Sequence, residues 1–219
     1  MQKREMEEVI KTLIKQKHLY KNTALMEVQE HYKTPFHVLI SCVLSLRTKD
    51  TTTGPAGERL FKLAQTPETM VKVDVKKIEK AIYPVGFYLT KAKNIKILCQ
   101  QLIDNHKGEV PKTHEELLKL KNVGQKTASI TMVYGHGIHE HIPVDIHVFR
   151  ISNRLGFVKT ENPDDTEDEL KKIIPREYWR DLNDLLVQFG QNICVPVSPW
   201  CSKCPVRKLC PRVGVFRSR

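Results

Sequence analysis

Residues 113–134 read THEELLKLKNVGQKTASITMVY, and their pattern is helix, tight turn, helix. Thr113 followed three residues later by Glu116 is a capping-box signature ahead of the apolar Leu117, Leu118 and Leu120. Asn122 and Gly124 are turn formers, and a second helix is expected from about Gln125. Asparagine comes next after glycine in its tolerance of a left-handed conformation, so the turn at 121–124 is expected to close tightly. Such a turn suits an anion. Gly124 lets backbone come close, and the N–H groups at the start of the second helix face outward. Asn122, Val123 and Gly124 are therefore candidate phosphate contacts. The plainer alternative is an ordinary corner between two helices.

Upstream of this hairpin, helix signals dominate. Met6, Val9, Ile10, Leu13 and Ile14 fall on one face of a first helix. Thr34-Pro35 pairs an N-cap with proline at the first helical position, and it opens the run Phe36–Leu46. That run is apolar almost all round, which predicts a central, buried helix. Thr66-Pro67 repeats the start signal, and Asp74 caps a short helix to Ile82. Ala92, Ile95, Leu98, Cys99, Leu102 and Ile103 line another helical face that stops near Gly108. Downstream, Asp145 is a candidate cap for the next helix, and two more are expected in 164–174 and 176–191. No alternating run is long enough for a sheet, so the fold class is all-α. Residues 50–57, DTTTGPAG, give no clear reading. There is no low-complexity segment and no fixed-period repeat.

The chain has 219 residues, enough for one large or two small domains. Its 36 lysines and arginines against 25 acidic residues give a net charge of +11, which favours a polyanionic partner, nucleic acid above all. A generally basic surface is the bland alternative. The run Phe36–Leu46 is too short to cross a bilayer, and the N-terminal MQKREMEEVIK has no signal core. A reducing cytoplasmic setting is expected, where cysteines serve as ligands or buried thiols. Cys194, Cys201, Cys204 and Cys210 are spaced C-x6-C-x2-C-x5-C. Four thiolates in so short a loop close round a tetrahedral zinc or an iron–sulfur cubane. Without metal they would be prone to oxidation. Cys42 and Cys99 lie on apolar helix faces and are expected in the core.

The cysteine spacing, the hairpin Leu120–Gly124, the segment VDIHVFR at 144–150 and LSLRTKD at 44–50 together resemble the endonuclease III family over residues 30 to 211. The family's patterns are L-x-G-x-G, VDTHIxR and LSxQTxD. Asn122 stands where its first hairpin glycine falls, and Arg47 where its wedge glutamine falls. The resemblance implies two helical lobes with a DNA-binding cleft between them. A six-helix barrel would span 28–138 and hold the helix-hairpin-helix (about 113–134). A cluster domain would be built from 1–27 plus 139–219, with its loop at 194–210. It implies a [4Fe–4S] cluster on the four cysteines.

Lys126 falls on the catalytic lysine. The chemistry asks for a neutral amine that attacks sugar C1′ and forms a Schiff base. Asp145 falls on the catalytic aspartate, where a fixed carboxylate answers charge developing at C1′. Its alternative role, helix N-cap, is compatible with that one. Arg47 and Phe87 match the two wedges that fill the gap left by a flipped nucleotide, although loop packing would also account for Phe87. His147 is a possible pocket residue. The loop 195–200, VPVSPW, carries no charge where the family's is basic, so phosphate contact is expected to move to Lys203, Arg207 and Lys208. Its two prolines would stiffen it, with Trp200 as a lid over the cluster.

The function implied is that of a monomeric, nucleoid-associated DNA glycosylase and AP lyase. It would act on double-stranded DNA carrying oxidised pyrimidines or abasic sites. Two alternatives remain. One is a monofunctional mismatch or adenine glycosylase, a branch that generally lacks the lysine. The other is a non-catalytic iron–sulfur DNA-binding protein.

Overall fold

The computed structural model describes residues 3–20, 22–23 and 34–219, and among them every regular element is helical. The chain divides into two compact units, Met1–Thr23 with His139–Arg219, and Ala24–Ile138. The domain boundary expected at 27/28 lies outside the described residues.

In the second unit, α2 (Pro35–Ser45) is the central element. Thr34 caps it by accepting from the His37 N–H, and every residue from Phe36 to Leu44 is buried. Around it pack α3 (Asp50–Leu63), α6 (Tyr88–His106) and α8 (Gln125–Ile130), which continues as a π-turn over Thr131–Gly135. A Cβ on Gly135 would sit 3.1 Å from the Pro35 Cα, so glycine sets how closely that turn approaches α2. The short helices α4 (Pro67–Lys72) and α5 (Val75–Ile82) close the core against α6. The unassigned stretch at 50–57 is the start of α3, with Pro55 inside the helix. Ala56, Leu60, Phe61 and Ala64 bury one face of it, and that packing outweighs the poor helix propensity of Gly54 and Pro55.

The first unit is built from α1 (Lys3–Gln16), α9 (Ile146–Arg154), α10 (Pro163–Ile173) and α11 (Trp179–Asn192). Met6, Val9, Ile10 and Leu13 of α1 enter one core with Val148, Ile151, Leu170, Leu186 and Phe189. Each such side chain contributes about 1.5–3 kcal/mol on burial, which accounts for the N-terminal helix packing with C-terminal ones. No described helix is long and apolar enough to cross a membrane.

Candidate active site and nucleic-acid interface

The hairpin is α7 (His114–Leu118), a turn, and α8. Thr113 Oγ1 accepts from the Glu116 N–H (3.3 Å) and donates to Glu116 Oε2 (2.7 Å). The reciprocal half of the capping box thus closes on the hydroxyl rather than on backbone. Asn122 is left-handed, with φ 66°. Val123 is buried in the core and anchors the turn from beneath. The Lys121 N–H donates to Gln101 Oε1 of α6 (2.7 Å), pinning the turn from the side. Gly124 is the N-cap of α8 at φ −111°, an extended conformation open to any residue. What glycine supplies there is space, since nothing lies within 4 Å of where a Cβ would be.

Lys126 is the second residue of α8 and is half-buried. Its charge reaches Cys42 on α2. Burial pushes that thiol up to about 12, with Lys126 acting in the opposite sense. Cys99 is pushed up to about 12 as well, chiefly by burial, so both thiols are inert core residues.

Asp145, in the other unit, is 8% exposed. Its Oδ1 accepts from the His147 N–H (2.8 Å) and the Val148 N–H (2.9 Å), which starts α9. His147 packs on α11, where a Cβ on Gly190 would come within 2.6 Å of its Nδ1. From the same helix, Arg150 Nη2 donates to the Cys194 carbonyl (2.9 Å). Arg154 donates to the carbonyls of Val195 (2.8 Å) and Pro196 (2.7 Å), and its Nη1 lies 3.5 Å from Cys194 Sγ. The helix that Asp145 caps therefore also holds the start of the cysteine loop.

All four cysteines line one pocket, with Leu155, Phe189, Ile193, Trp200 and Val215 among its apolar walls. None is in a disulfide. Burial, aided by the neighbouring thiols, pushes Cys204 up to about 11, and burial raises Cys210 as well. Among the described residues no three His, Cys, Asp or Glu side chains converge as a single metal ion would require. Trp200 walls the pocket, with Lys203 4.9 Å and Arg219 3.8 Å from its ring centre. Arg207 and Lys208 are exposed.

Arg47 and Phe87, forty residues apart in sequence, meet in the structure. The Arg47 guanidinium carbon lies 5.8 Å from the centre of the Phe87 ring. Both are left-handed, at φ 53° and 58°, and Phe87 is 63% exposed. Behind them is a residue that sequence reasoning missed. Lys91 is 4% exposed, and its Nζ donates to the carbonyls of Leu44 (2.8 Å) and Leu46 and to Thr48 Oγ1 (3.2 Å). Burial pushes its ammonium down to about 8, so it remains a cation at neutral pH. Its signal was present in the sequence as a lysine on the apolar stripe of Ile95, Leu98 and Leu102.

Residues 40–176 match the model of the HhH-GPD superfamily base excision DNA repair proteins. The chain is 42% identical to endonuclease III of Thermotoga maritima over 83% of its own length and 85% of the relative's. It is equally similar to the chloroplastic endonuclease III homolog 2 of Arabidopsis thaliana, of which it spans about half, 48%. A solved non-covalent endonuclease III–DNA complex superposes with a TM-score of 0.86 at 34% identity, covering 97% of this chain and 96% of that one. A trapped endonuclease III–DNA covalent intermediate gives 0.81 at 33% identity, with 97% of each chain covered.

Proposed function

The chain belongs to the endonuclease III family, within the HhH-GPD superfamily of base-excision DNA repair proteins, and on that premise we propose how its own side chains carry the reaction. It is a bifunctional DNA glycosylase and AP lyase acting on double-stranded DNA, and its substrates are oxidised pyrimidines and abasic sites. The Lys126 amine attacks C1′ of a nucleotide turned out of the stack. The C1′–N bond breaks, and the base leaves with the electron pair and takes up a proton. The attacking nitrogen gives up a proton, and the C1′–O4′ bond opens as O4′ is protonated, leaving an iminium on Lys126. Loss of a C2′ proton then expels the 3′ phosphate, and water later releases the lysine. Asp145 supplies the fixed negative charge that answers the cation developing at C1′. The turn Asn122–Gly124 holds a phosphate through backbone N–H groups, a contact indifferent to sequence.

The observation that carries this reading is Lys126 itself, half-buried one residue into the helix that Gly124 opens. A panel of duplexes with one lesion each, scored separately for base release and strand scission, tests it. Release coupled to scission is expected. Release alone would mark a monofunctional glycosylase, and neither would mark a binding protein.

The cysteine pocket fits a [4Fe–4S] cluster. A lone zinc takes sulfurs at about 2.3 Å, and among the described residues no three such side chains converge on a single ion, whereas all four cysteines line one apolar-walled pocket. Cys194, Cys201, Cys204 and Cys210 would each hold one corner, and the cluster would tie the loop together without entering the reaction. The purified protein is expected to be brown, absorbing broadly near about 400 nm as thiolate-ligated iron does. Metal analysis returning one zinc and no iron would overturn the assignment.

The loop 195–200 is uncharged, so phosphate contact in this unit falls to Lys203, Arg207 and Lys208. Each phosphate neutralised adds roughly 0.9 to the slope of log K against log salt on duplex DNA. Replacing all three by alanine should flatten that slope by about two to three units. It should also weaken all duplexes alike and leave the colour unchanged. A parental slope would show that these side chains do not hold phosphates.

A further inference from the structure

We propose that Lys91 is a positioning residue for base extrusion. It locks the turn bearing Arg47 to the turn bearing Phe87, so that the two side chains enter the vacated stack as one preassembled wedge. This rests on the wedge reading of Arg47 and Phe87, and it adds the element that holds them.

The argument begins with backbone conformation. A left-handed conformation is unfavourable for any residue with a Cβ and persists only where the surroundings over-determine it. Arg47 and Phe87 are both left-handed and both lie at the tips of turns. On the Arg47 side, the C-terminus of α2 leaves carbonyls without helical partners. Lys91 satisfies two of these, on Leu44 and Leu46, and its third bond goes to the Thr48 hydroxyl. An ammonium has three protons, and three acceptors surround this one.

On the Phe87 side, the Lys91 N–H donates to the Phe87 carbonyl (2.9 Å), the first bond of α6. One residue thus grips both turns, the first by its side chain and the second by its backbone. Thr48 is the bridge between them. Its hydroxyl accepts from Lys91 and from the Gly86 N–H (3.1 Å) and donates to the Leu46 carbonyl (3.2 Å). The two backbones are also in direct contact, since a Cβ on Gly86 would fall 2.6 Å from the Arg47 carbonyl oxygen. Neither turn can shift without moving the other.

Preassembly matters because extrusion has to offset lost stacking and pairing. A wedge already ordered does not spend its contact energy on ordering itself. Lys91 touches no reacting atom, so its effect is confined to substrates that must be opened. A single-stranded abasic site needs no wedge.

The test uses Lys91→Met and Thr48→Val, with Phe87→Ala and Arg47→Ala as reference variants. One readout is the fluorescence of 2-aminopurine placed opposite a tetrahydrofuran abasic analogue in a duplex, at saturating protein. The other is the ratio of lyase rates on duplex and single-stranded abasic DNA. Lys91→Met and Thr48→Val are expected to lose most of the parental fluorescence change. Their duplex-to-single-strand ratio should fall about tenfold or more, the equivalent of ~1.4 kcal/mol, with the single-strand rate retained. If they behave as the parent while the reference variants lose both signals, Lys91 does not position the wedge. Equal losses on the two substrates would also overturn the proposal, because that is general destabilisation. If the reference variants lose neither signal, the wedge reading itself falls. Should Lys91→Met fail to fold, Thr48→Val carries the test, since valine keeps the shape and removes only the bridging hydroxyl.

Discussion

Lys126→Gln is expected to give no borohydride-trapped complex with abasic duplex while binding that duplex almost as the parent does. Trapping reduces an iminium, which requires a primary amine at C1′; an amide nitrogen cannot form it. Glutamine suits a helix interior and is close to lysine in length, so α8 and its packing on α2 should persist. Binding should persist because the proposed phosphate contact is backbone at Asn122–Gly124, not the Lys126 side chain. The chain has many other amines, so a control is needed. Lys121 lies in the same turn, is exposed, and holds its place through its backbone N–H to Gln101. Lys121→Gln should trap as the parent does. Undiminished trapping by Lys126→Gln would remove Lys126 from the mechanism and give the Schiff base to another amine.

Helix starts were legible in the sequence because capping is local chemistry. Thr34, Thr66, Asp74, Thr113 and Asp145 each accept a backbone N–H where the pattern places a cap. The left-handed turn at Asn122 was legible for the same reason. The start of α3 was not, because Gly54 and Pro55 read locally as a break, and only burial of Ala56, Leu60 and Phe61 decides otherwise. Gly124 shows a subtler difference. Its backbone is extended, so what glycine supplies there is an absent side chain rather than an unusual dihedral. The stacking of Arg47 on Phe87 spans forty residues, and no window of sequence contains it. Lys91 falls between these cases. A lysine on an apolar stripe is visible as an anomaly, but the three oxygens that explain it come from a turn more than forty residues away.

Asp145→Asn is expected to slow base release by about 100-fold or more while leaving the fold intact, because asparagine removes the proposed charge and keeps an oxygen for the cap. Oδ1 is the cap, accepting from the N–H groups of His147 and Val148. Asparagine keeps a carbonyl oxygen at that position and caps helices as well as aspartate, so α9 should still start where it does. The arginines that α9 sends to the Cys194 loop should likewise stay in place. What the substitution removes is the negative charge. A positioned acid–base or charge-stabilising group contributes about 10²–10⁴ in rate, and the loss should appear in base release, where positive charge develops at C1′. Trapping on a pre-formed abasic site should be slowed less, since there the base has already gone. Asp145→Ala separates the two jobs from the other side. It loses the charge and the cap together, and should add about 0.5–2 kcal/mol of destabilisation to a comparable loss of rate. The measurements are single-turnover base release and a thermal melt for each variant. If Asp145→Asn releases base at the parental rate and only Asp145→Ala is impaired, the carboxylate is a cap and nothing more, and the charge that answers C1′ must come from another residue.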